Sequence, residues 1–153
     1  MNSKCPYTLA SFCAAVLLLL PISQSIAASP DLVPPGWKHE GASDRRAIHF
    51  VSPDGRATLT MRDVTGAATS PATVIGAKPG EQVTYRAGGR DWTVISGYRG
   101  QDIFYRRAGF ACGHRRIHVI ELNYPREQKR QLDATVTSIS RRLQRYRDVC
   151  RRE

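Results

Sequence analysis

The sequence predicts an α+β domain in which an antiparallel sheet, an N-terminal hairpin plus a four-stranded meander, is covered by a C-terminal helix. Two observations predict this class. Short apolar segments separated by turn residues follow one another from residue 46 to residue 124. Pro125 ends the last segment, and beyond it apolar residues recur at helical spacing.

The first two segments predict the hairpin. Residues 46–51 and 56–62 both alternate between apolar and polar side chains, as half-buried strands do. The turn between them contains Pro53, Asp54 and Gly55. Proline presets φ, aspartate bonds to the following backbone and glycine accepts a positive φ, so this stretch favours a tight reversal.

Four more segments predict the meander: 82–86, 91–98, 102–110 and 116–124. The turns between them are short, which implies antiparallel neighbours. The last segment is apolar on both faces, as expected of a central or covered strand. Before the meander, residues 65–80 are rich in Gly, Ala, Thr, Ser and Pro, and predict a long connection with one helical turn that starts at Ser70 and Pro71.

The C-terminal helix is predicted from a stripe of apolar residues with steps of three and four. Pro125 suits its first turn, although a second cap at Asp133 would divide it into a short and a longer helix. The stripe consists of Leu132, Val136, Ile139, Leu143 and Tyr146, and one further step reaches Cys150.

The first 27 residues have the layout of a secretory signal peptide. An apolar run over residues 9–20 ends at Pro21, and small residues precede a predicted cleavage between Ala27 and Ala28. The run is too short for a membrane-spanning helix, so no transmembrane segment is expected in the mature chain. The predicted organisation is a signal peptide at 1–27, a proline-rich segment at 28–36 and a single domain at 37–153, exported to the periplasm or secreted.

Cysteine usage predicts one disulfide. Removal of the signal peptide takes away Cys5 and Cys13, and leaves Cys112 and Cys150. In an oxidising compartment such a pair is most simply a structural bridge. Closing a loop of about 38 residues would stabilise the fold by about 4 kcal/mol on the chain-entropy model. A redox-active pair is the alternative, which the wide spacing disfavours.

The charge is compatible with anionic partners, and equally with a basic, solvated surface that has no specific partner. The chain has 23 Lys and Arg against 13 Asp and Glu, a net charge of +10, and loss of Lys4 with the signal peptide lowers it to +9. Export makes nucleic acid a poor candidate, so the expected partners are an envelope protein or an anionic surface. The predicted contact is the arginine-rich end of the helix: Arg141, Arg142, Arg145 and Arg147.

Other candidate chemistry is weak. Cys112, His114 and His118 are close in sequence but lie on a turn and a strand, so no metal site is predicted. The sequence contains no Gly-x-Ser-x-Gly motif and no evident pair of carboxylates, so no pattern indicates a hydrolase. Tyr–Arg pairs at 85–86, 98–99 and 105–107 are interpreted as strand alternation, with the ring inward and the guanidinium outward. No cofactor and no catalytic residue are predicted.

Several core and turn positions resemble PsbP-like exported α/β/α domains and small periplasmic proteins of alphaproteobacteria. The positions are Pro35-Gly36-Trp37, the stretch from Phe50 through Ser52-Pro53-Asp54-Gly55 to Ala57 and Leu59, and the meander and helix around Tyr124-Pro125. The resemblance implies a sheet covered by helices and a non-catalytic accessory or binding role. Residues 28–36 depart from it, because proline-rich sequence replaces the strand expected before Trp37.

The function expected from these observations is that of a non-enzymatic exported accessory or binding protein, stabilised by one disulfide. Two alternatives stay open: a module that binds anionic lipid or glycan through the C-terminal arginines, and a hydrolase without a recognisable motif.

Overall fold

A computed structural model describes residues 32–44, 47–65 and 70–145 of the chain. Seven strands and two helices account for most of them. The elements are β1 (Lys38–Asp44), β2 (Ala47–Val51), β3 (Thr58–Thr65), α1 (Pro71–Val74), β4 (Gln82–Gly89), β5 (Trp92–Arg99), β6 (Asp102–Ala111), β7 (Arg116–Pro125) and α2 (Lys129–Arg145), with a 3₁₀ turn at Arg126–Gln128 before α2.

All seven strands belong to one sheet, in the order β1-β2-β3-β7-β6-β5-β4. Every neighbouring pair is antiparallel. The hairpin and the meander join where β3 pairs with β7 over eight residues, from Thr58 opposite Asn123 to Thr65 opposite Arg116. The last strand in sequence is therefore the central strand of the sheet, which explains why β7 is apolar on both faces.

The predicted fold class is wrong. The described residues do not form an α+β domain of six strands in a hairpin and a meander, but mostly an antiparallel sheet of seven strands with one C-terminal helix and one short helix, and 51% of them are in strands and 22% in helices. The hairpin and the meander belong to one sheet, because β3 pairs with β7.

The missed strand is β1. Its sequence, KHEGASD, contains no large apolar residue, so it has no period-two pattern. β1 lies at an edge of the sheet and pairs only with β2 within the described residues. Because an edge strand of this kind buries little, its stability comes from backbone pairing, and hydrophobic patterning does not detect it.

One face of the sheet, here called the helix face, packs against α2. The stripe residues Leu132 and Ile139 are buried there, and Val136 and Leu143 pack beside them, as the helical spacing predicts. α2 is continuous from Lys129 to Arg145, so Asp133 does not divide it. The sheet residues of this core include Leu59, Met61, Val94, Tyr105, Ile120 and Leu122.

The opposite face, here called the connection face, is partly covered by residues 70–81. Ser70 caps α1 by accepting a hydrogen bond from the Thr73 N–H at 3.2 Å, which confirms the predicted single helical turn. Ile75 follows α1 and is 1% exposed in a second core cluster. The sheet residues of this cluster are Ile95, Phe104, Ala108, Ile117 and Val119.

In the part of the chain that the structure describes, no helix is long and apolar enough to cross a membrane. The predicted signal peptide and residues 28–31 of the proline-rich segment lie outside the described residues. Leu32, in the middle of that segment, is buried in the core of the helix face.

Candidate functional site

Two consecutive arginines of β6 are buried on opposite faces of the sheet. Arg106 is 1% exposed and Arg107 is 5% exposed. Tyr105, which precedes them, is buried in the core of the helix face. The interpretation that these guanidinium groups point outward is therefore wrong, since both faces of β6 are covered, one by α2 and the other by residues 70–81.

Arg106 is the centre of an ion network on the connection face. Its guanidinium donates to both carboxylate oxygens of Glu81, with one of these bonds measuring 2.8 Å, and to the Gly76 carbonyl at 3.3 Å. Its Nε lies 3.1 Å from Glu121 Oε1, at an angle outside hydrogen-bond geometry. Lys78 completes the network by donating to both oxygens of Glu121 at 2.9 and 3.0 Å. The network thereby fastens residues 76–81 onto β6 and β7.

Both carboxylates of the network are held ionised. Burial alone would raise the pKa of Glu81, but hydrogen bonds from Arg106 and from the Lys78 N–H outweigh it and lower the pKa. Burial likewise opposes ionisation of Glu121, and the Lys78 hydrogen bond together with the charge of Arg106 gives a lowered pKa. The pKa of Arg106 is raised, because its two carboxylate partners outweigh desolvation.

Acid should therefore destabilise the fold through Glu81 and Glu121. A carboxylate with a lowered pKa in the folded state stabilises that state above the ordinary glutamate pKa, and the contribution is lost as the pH falls through the lowered value. We expect the urea midpoint of unfolding to fall once the pH drops below about 4.5, and to fall less steeply in Glu81→Gln. If the urea midpoint fell equally steeply with pH in the wild type and in Glu81→Gln, Glu81 would not contribute to the pH dependence of stability.

The network is one end of a polar row that crosses the connection face. Cross-strand register places Glu40 opposite His49, His49 opposite Thr60, Thr60 opposite Glu121 and Glu121 opposite Arg106. His49 Nδ1 and Thr60 Oγ1 are 3.0 Å apart. Five neighbouring strands of the sheet, β1, β2, β3, β7 and β6, thus contribute one polar residue each to a row perpendicular to the strands.

The chemistry of this row favours structure over catalysis. A general acid needs a carboxyl group whose pKa is raised towards neutrality, whereas Glu81 and Glu121 are shifted the opposite way. Their oxygens are occupied by Arg106 and Lys78, which leaves little capacity to accept a proton from a substrate. The row can therefore position the covering segment and present polar groups, but Glu81 and Glu121, whose pKa values are lowered, are poor proton donors at neutral pH.

The structure separates the residues of the motif Cys112-Gly-His114-x3-His118. His114 lies on an exposed turn, where Nε2 is 3.1 Å from Asp91 Oδ1 and the ring packs edge-on against Phe110. His118 lies in β7 and its Nδ1 contacts the carboxylate of Asp63 directly across the strand pair. Cys112 is buried at the end of β6. Within the described residues no group of three metal-ligating side chains is present.

The predicted disulfide stays a prediction. Cys112 has a φ of 54°, and Gly113 and His114 also have positive φ. Arg115 stabilises this turn by donating from Nε to the Cys112 carbonyl at 3.0 Å. Cys150 lies outside the described residues.

The predicted arginine contact lies on the outer surface of α2. Arg141 and Arg142 are exposed and, with Asp133, Ala134, Thr137 and Ser138, line an open depression of about 510 Å³. The backbone of Arg145 ends α2, whereas its side chain, together with Arg147, lies outside what the structure describes.

Charges along α2 are distributed unequally. At its start, Lys129 pairs with Asp133 at 2.8 Å, and Glu127 of the preceding turn pairs with Arg56. From residue 134 to residue 145 the helix has no acidic residue. No ion pair within the described residues includes Arg141 or Arg142, so the second half of the helix carries positive charge that no acidic residue of that half balances.

The ion network is not among the features predicted from the sequence, although the sequence contains a signal for it. Glu121 shares strand parity with Ile117 and Val119, and Arg106 shares parity with Phe104 and Ala108. A charged residue at a core-facing strand position predicts a buried partner of opposite charge. Glu81 has no such signal, because it lies in an irregular connection.

Comparison of the chain with models of known protein families gives no match, and comparison with curated proteins gives none either. The resemblance to PsbP-like domains therefore stays a prediction.

Proposed function

We propose that this chain is an exported, non-enzymatic accessory domain that binds an anionic partner of the cell envelope through the second half of α2. The observation that carries the proposal is the contrast between buried and exposed cations. Arg106 is neutralised by Glu81 and Glu121, whereas Arg141 and Arg142 have no acidic partner among the described residues. Positive charge left unpaired on one helix surface attracts anions.

The lining of the depression supports recognition beyond net charge. Two guanidinium groups supply planar, paired donors, which match phosphate, sulfate and carboxylate oxygens. Thr137 and Ser138 add hydroxyl groups on the same helix surface, although Thr137 Oγ1 already donates to the Asp133 carbonyl at 2.9 Å. The site is open, as suits a headgroup or a sugar acid at the surface of a larger assembly.

A simpler role for the two arginines is to complement the negative end of the helix dipole. Cations in a last helical turn stabilise a protein by about 0.3 to 1 kcal/mol each. This role affects stability and has no effect on affinity, so binding and unfolding measurements distinguish the two.

Sedimentation with vesicles tests the proposal. Mature protein should bind vesicles of phosphatidylglycerol mixed with phosphatidylcholine more tightly than pure phosphatidylcholine, and added salt should weaken the binding. Each arginine near an anionic surface contributes about 1 kcal/mol, so Arg141→Ala with Arg142→Ala should weaken binding by about 30-fold.

The matched control is Arg86→Ala with Arg90→Ala, which removes the same charge from the β4–β5 hairpin. It should change vesicle affinity by less than about threefold. Equal weakening by both pairs would show that only net charge attracts the protein. A parallel titration with heparin distinguishes an anionic glycan from a lipid as the preferred partner.

The hydrolase alternative has one specific feature, the contact between His118 and Asp63. A carboxylate that orients a histidine is part of a nucleophilic triad, but the triad also needs a nucleophile at hydrogen-bond distance from the other ring nitrogen. Among the residues that the structure describes, the His118 side chain forms a hydrogen bond with Asp63 and with no serine, threonine or cysteine. We therefore rank binding above hydrolysis.

A further inference from the structure

β4 forms one edge of the sheet and pairs only with β5 within the described residues. The register shifts between Val83 and Tyr85, and from Tyr85 to Gly89 it runs without interruption. Residues 85–89 are here called the β4 edge. On an edge strand, alternate N–H and C=O groups point away from the sheet and can pair with another chain.

The two edges of the sheet differ in how they are protected. The register of β1 with β2 is interrupted between Glu40 and Asp44, and β1 carries charges of both signs. The β4 edge has no proline and no acidic residue. Tyr85 is 55% exposed, and it is the large hydrophobic residue found exposed in the described part of the chain. The β4 edge is thus the less protected of the two.

The charge around the β4 edge selects the kind of partner. Arg86 and Arg90 are exposed, and no ion pair within the described residues includes either of them. Asp91 is the one acidic residue in the sequence of the β4–β5 hairpin, and it contacts His114. A second strand laid along residues 85–89 therefore meets positive charge.

This charge disfavours pairing between two copies of the chain. In an antiparallel pair centred on the β4 edge, the Arg86 side chains of the two copies would lie on the same face, directly or diagonally opposite. Like charges at such positions destabilise a strand pair, whereas opposite charges stabilise it. An extended segment with acidic side chains can form hydrogen bonds with the same backbone groups without repulsion between like charges.

We propose that the β4 edge binds an extended acidic peptide segment of a partner protein as an eighth strand. Backbone hydrogen bonds supply the pairing, Arg86 and Arg90 select acidic side chains, and Tyr85 contacts an apolar side chain of the added strand. This surface is separate from the arginines of α2, so a protein partner and an anionic surface can be bound independently.

Fluorescence anisotropy with a defined probe tests the proposal. The probe is a fluorescein-labelled, blocked heptapeptide of alternating valine and glutamate. We expect the mature protein to bind it at least about tenfold more tightly than the matched valine–lysine peptide. A valine–glutamate peptide in which every backbone amide nitrogen is methylated keeps the charge of the probe but loses its backbone hydrogen-bond donors. It should bind about tenfold more weakly than the probe.

Variants then place the contact. Arg86→Ala with Arg90→Ala should weaken binding of the glutamate probe about tenfold, whereas Arg141→Ala with Arg142→Ala should leave it within about twofold. This is the reverse of the pattern expected for vesicles, so the two proposals succeed or fail separately. Amide exchange with the probe bound should show new protection in residues 85–89.

Three results would overturn the proposal: equal binding of the methylated probe, unchanged binding by the Arg86 and Arg90 variant, or protection at β1 in place of β4. A β4-mediated dimer seen by analytical ultracentrifugation at the probe concentrations would also overturn it, because a second copy would then occupy the edge.

Discussion

Replacing Arg106 with methionine should destabilise the protein by about 3 to 5 kcal/mol, the usual cost of removing one partner from a buried ion pair. The Glu81 side chain is 0% exposed and would keep a buried charge with no guanidinium beside it. Loss of the contact with Phe104, whose ring centroid is 4.7 Å from the guanidinium carbon, adds to the effect. Urea unfolding followed by tryptophan fluorescence measures the change.

Arg107→Met is the matched control, because Arg107 is also buried but forms no ion pair with any carboxylate among the described residues. Its guanidinium lies 4.5 Å from the Trp92 ring and donates to Ser140 Oγ at 2.9 Å. Breaking these contacts should cost about 1 to 2 kcal/mol. Replacing Arg106, Glu81 and Glu121 together by Met, Gln and Gln should recover part of the loss, since no buried charge then remains unpaired. Equal losses for the two single variants would contradict the role given to the network.

Gly97→Ala should destabilise the protein by about 2 to 4 kcal/mol, more than most single substitutions. A Cβ at this position would lie 1.9 Å from the Gln82 carbonyl oxygen and 2.9 Å from the Val83 Cα. Both atoms belong to the backbone of β4 at its register shift, so relief requires movement of the strand itself. We expect unfolding at a lower urea concentration and faster amide exchange along β4.

Gly109→Ala provides the control for the added methyl group. Gly109 lies in β6, and its Cβ would meet only the Asp91 carbonyl oxygen at 3.6 Å and the Trp92 Cβ at 3.7 Å, which are ordinary contacts. Because alanine restricts the unfolded chain more than glycine does, this variant should be within about 1 kcal/mol of wild type. A similar loss in both variants would show that the close approach at Gly97 is not the cause.

Much of the fold follows from local patterns in the sequence. Alternation placed β2 and β3, apolar segments placed β5, β6 and β7, and the stripe from Leu132 to Leu143 placed α2 on the sheet. These elements bury large apolar side chains, so the period of burial is visible in the residues themselves. The turn residues Pro53 and Gly55 define the hairpin between β2 and β3, where Gly55 has a φ of 73°.

The errors have physical causes of two kinds. β1 was missed because an exposed edge strand needs no apolar pattern, and without it the sheet was predicted with six strands in place of seven. Arg106 and Arg107 were interpreted as exposed because sequence alone does not show that both faces of β6 are covered. Their partners, Glu81 and Ser140, are 25 and 33 residues away in sequence, so only the tertiary fold brings them together.

The candidate site was predicted less completely than the fold. Arg141 and Arg142 were identified from charge density, and the structure adds that no acidic residue follows Asp133 in α2. Arg147 and Cys150 lie outside the described residues, so the contact and the disulfide that include them stay predictions. No sequence motif marks the β4 edge. Its position at the edge of the sheet depends on the tertiary fold, in which β4 pairs only with β5 among the described residues.

We infer that the charged residues divide by role: the carboxylates of Glu81 and Glu121 hold the fold together, and exposed arginines contact the partner. Measuring the side-chain carboxyl ¹³C shifts of both glutamates by NMR across the acid range tests this claim most directly. Both should titrate below the ordinary glutamate pKa, as their hydrogen bonds with Arg106 and Lys78 require. A carboxyl group that titrates near neutral pH would contradict the claim, since it would be a competent general acid on the connection face.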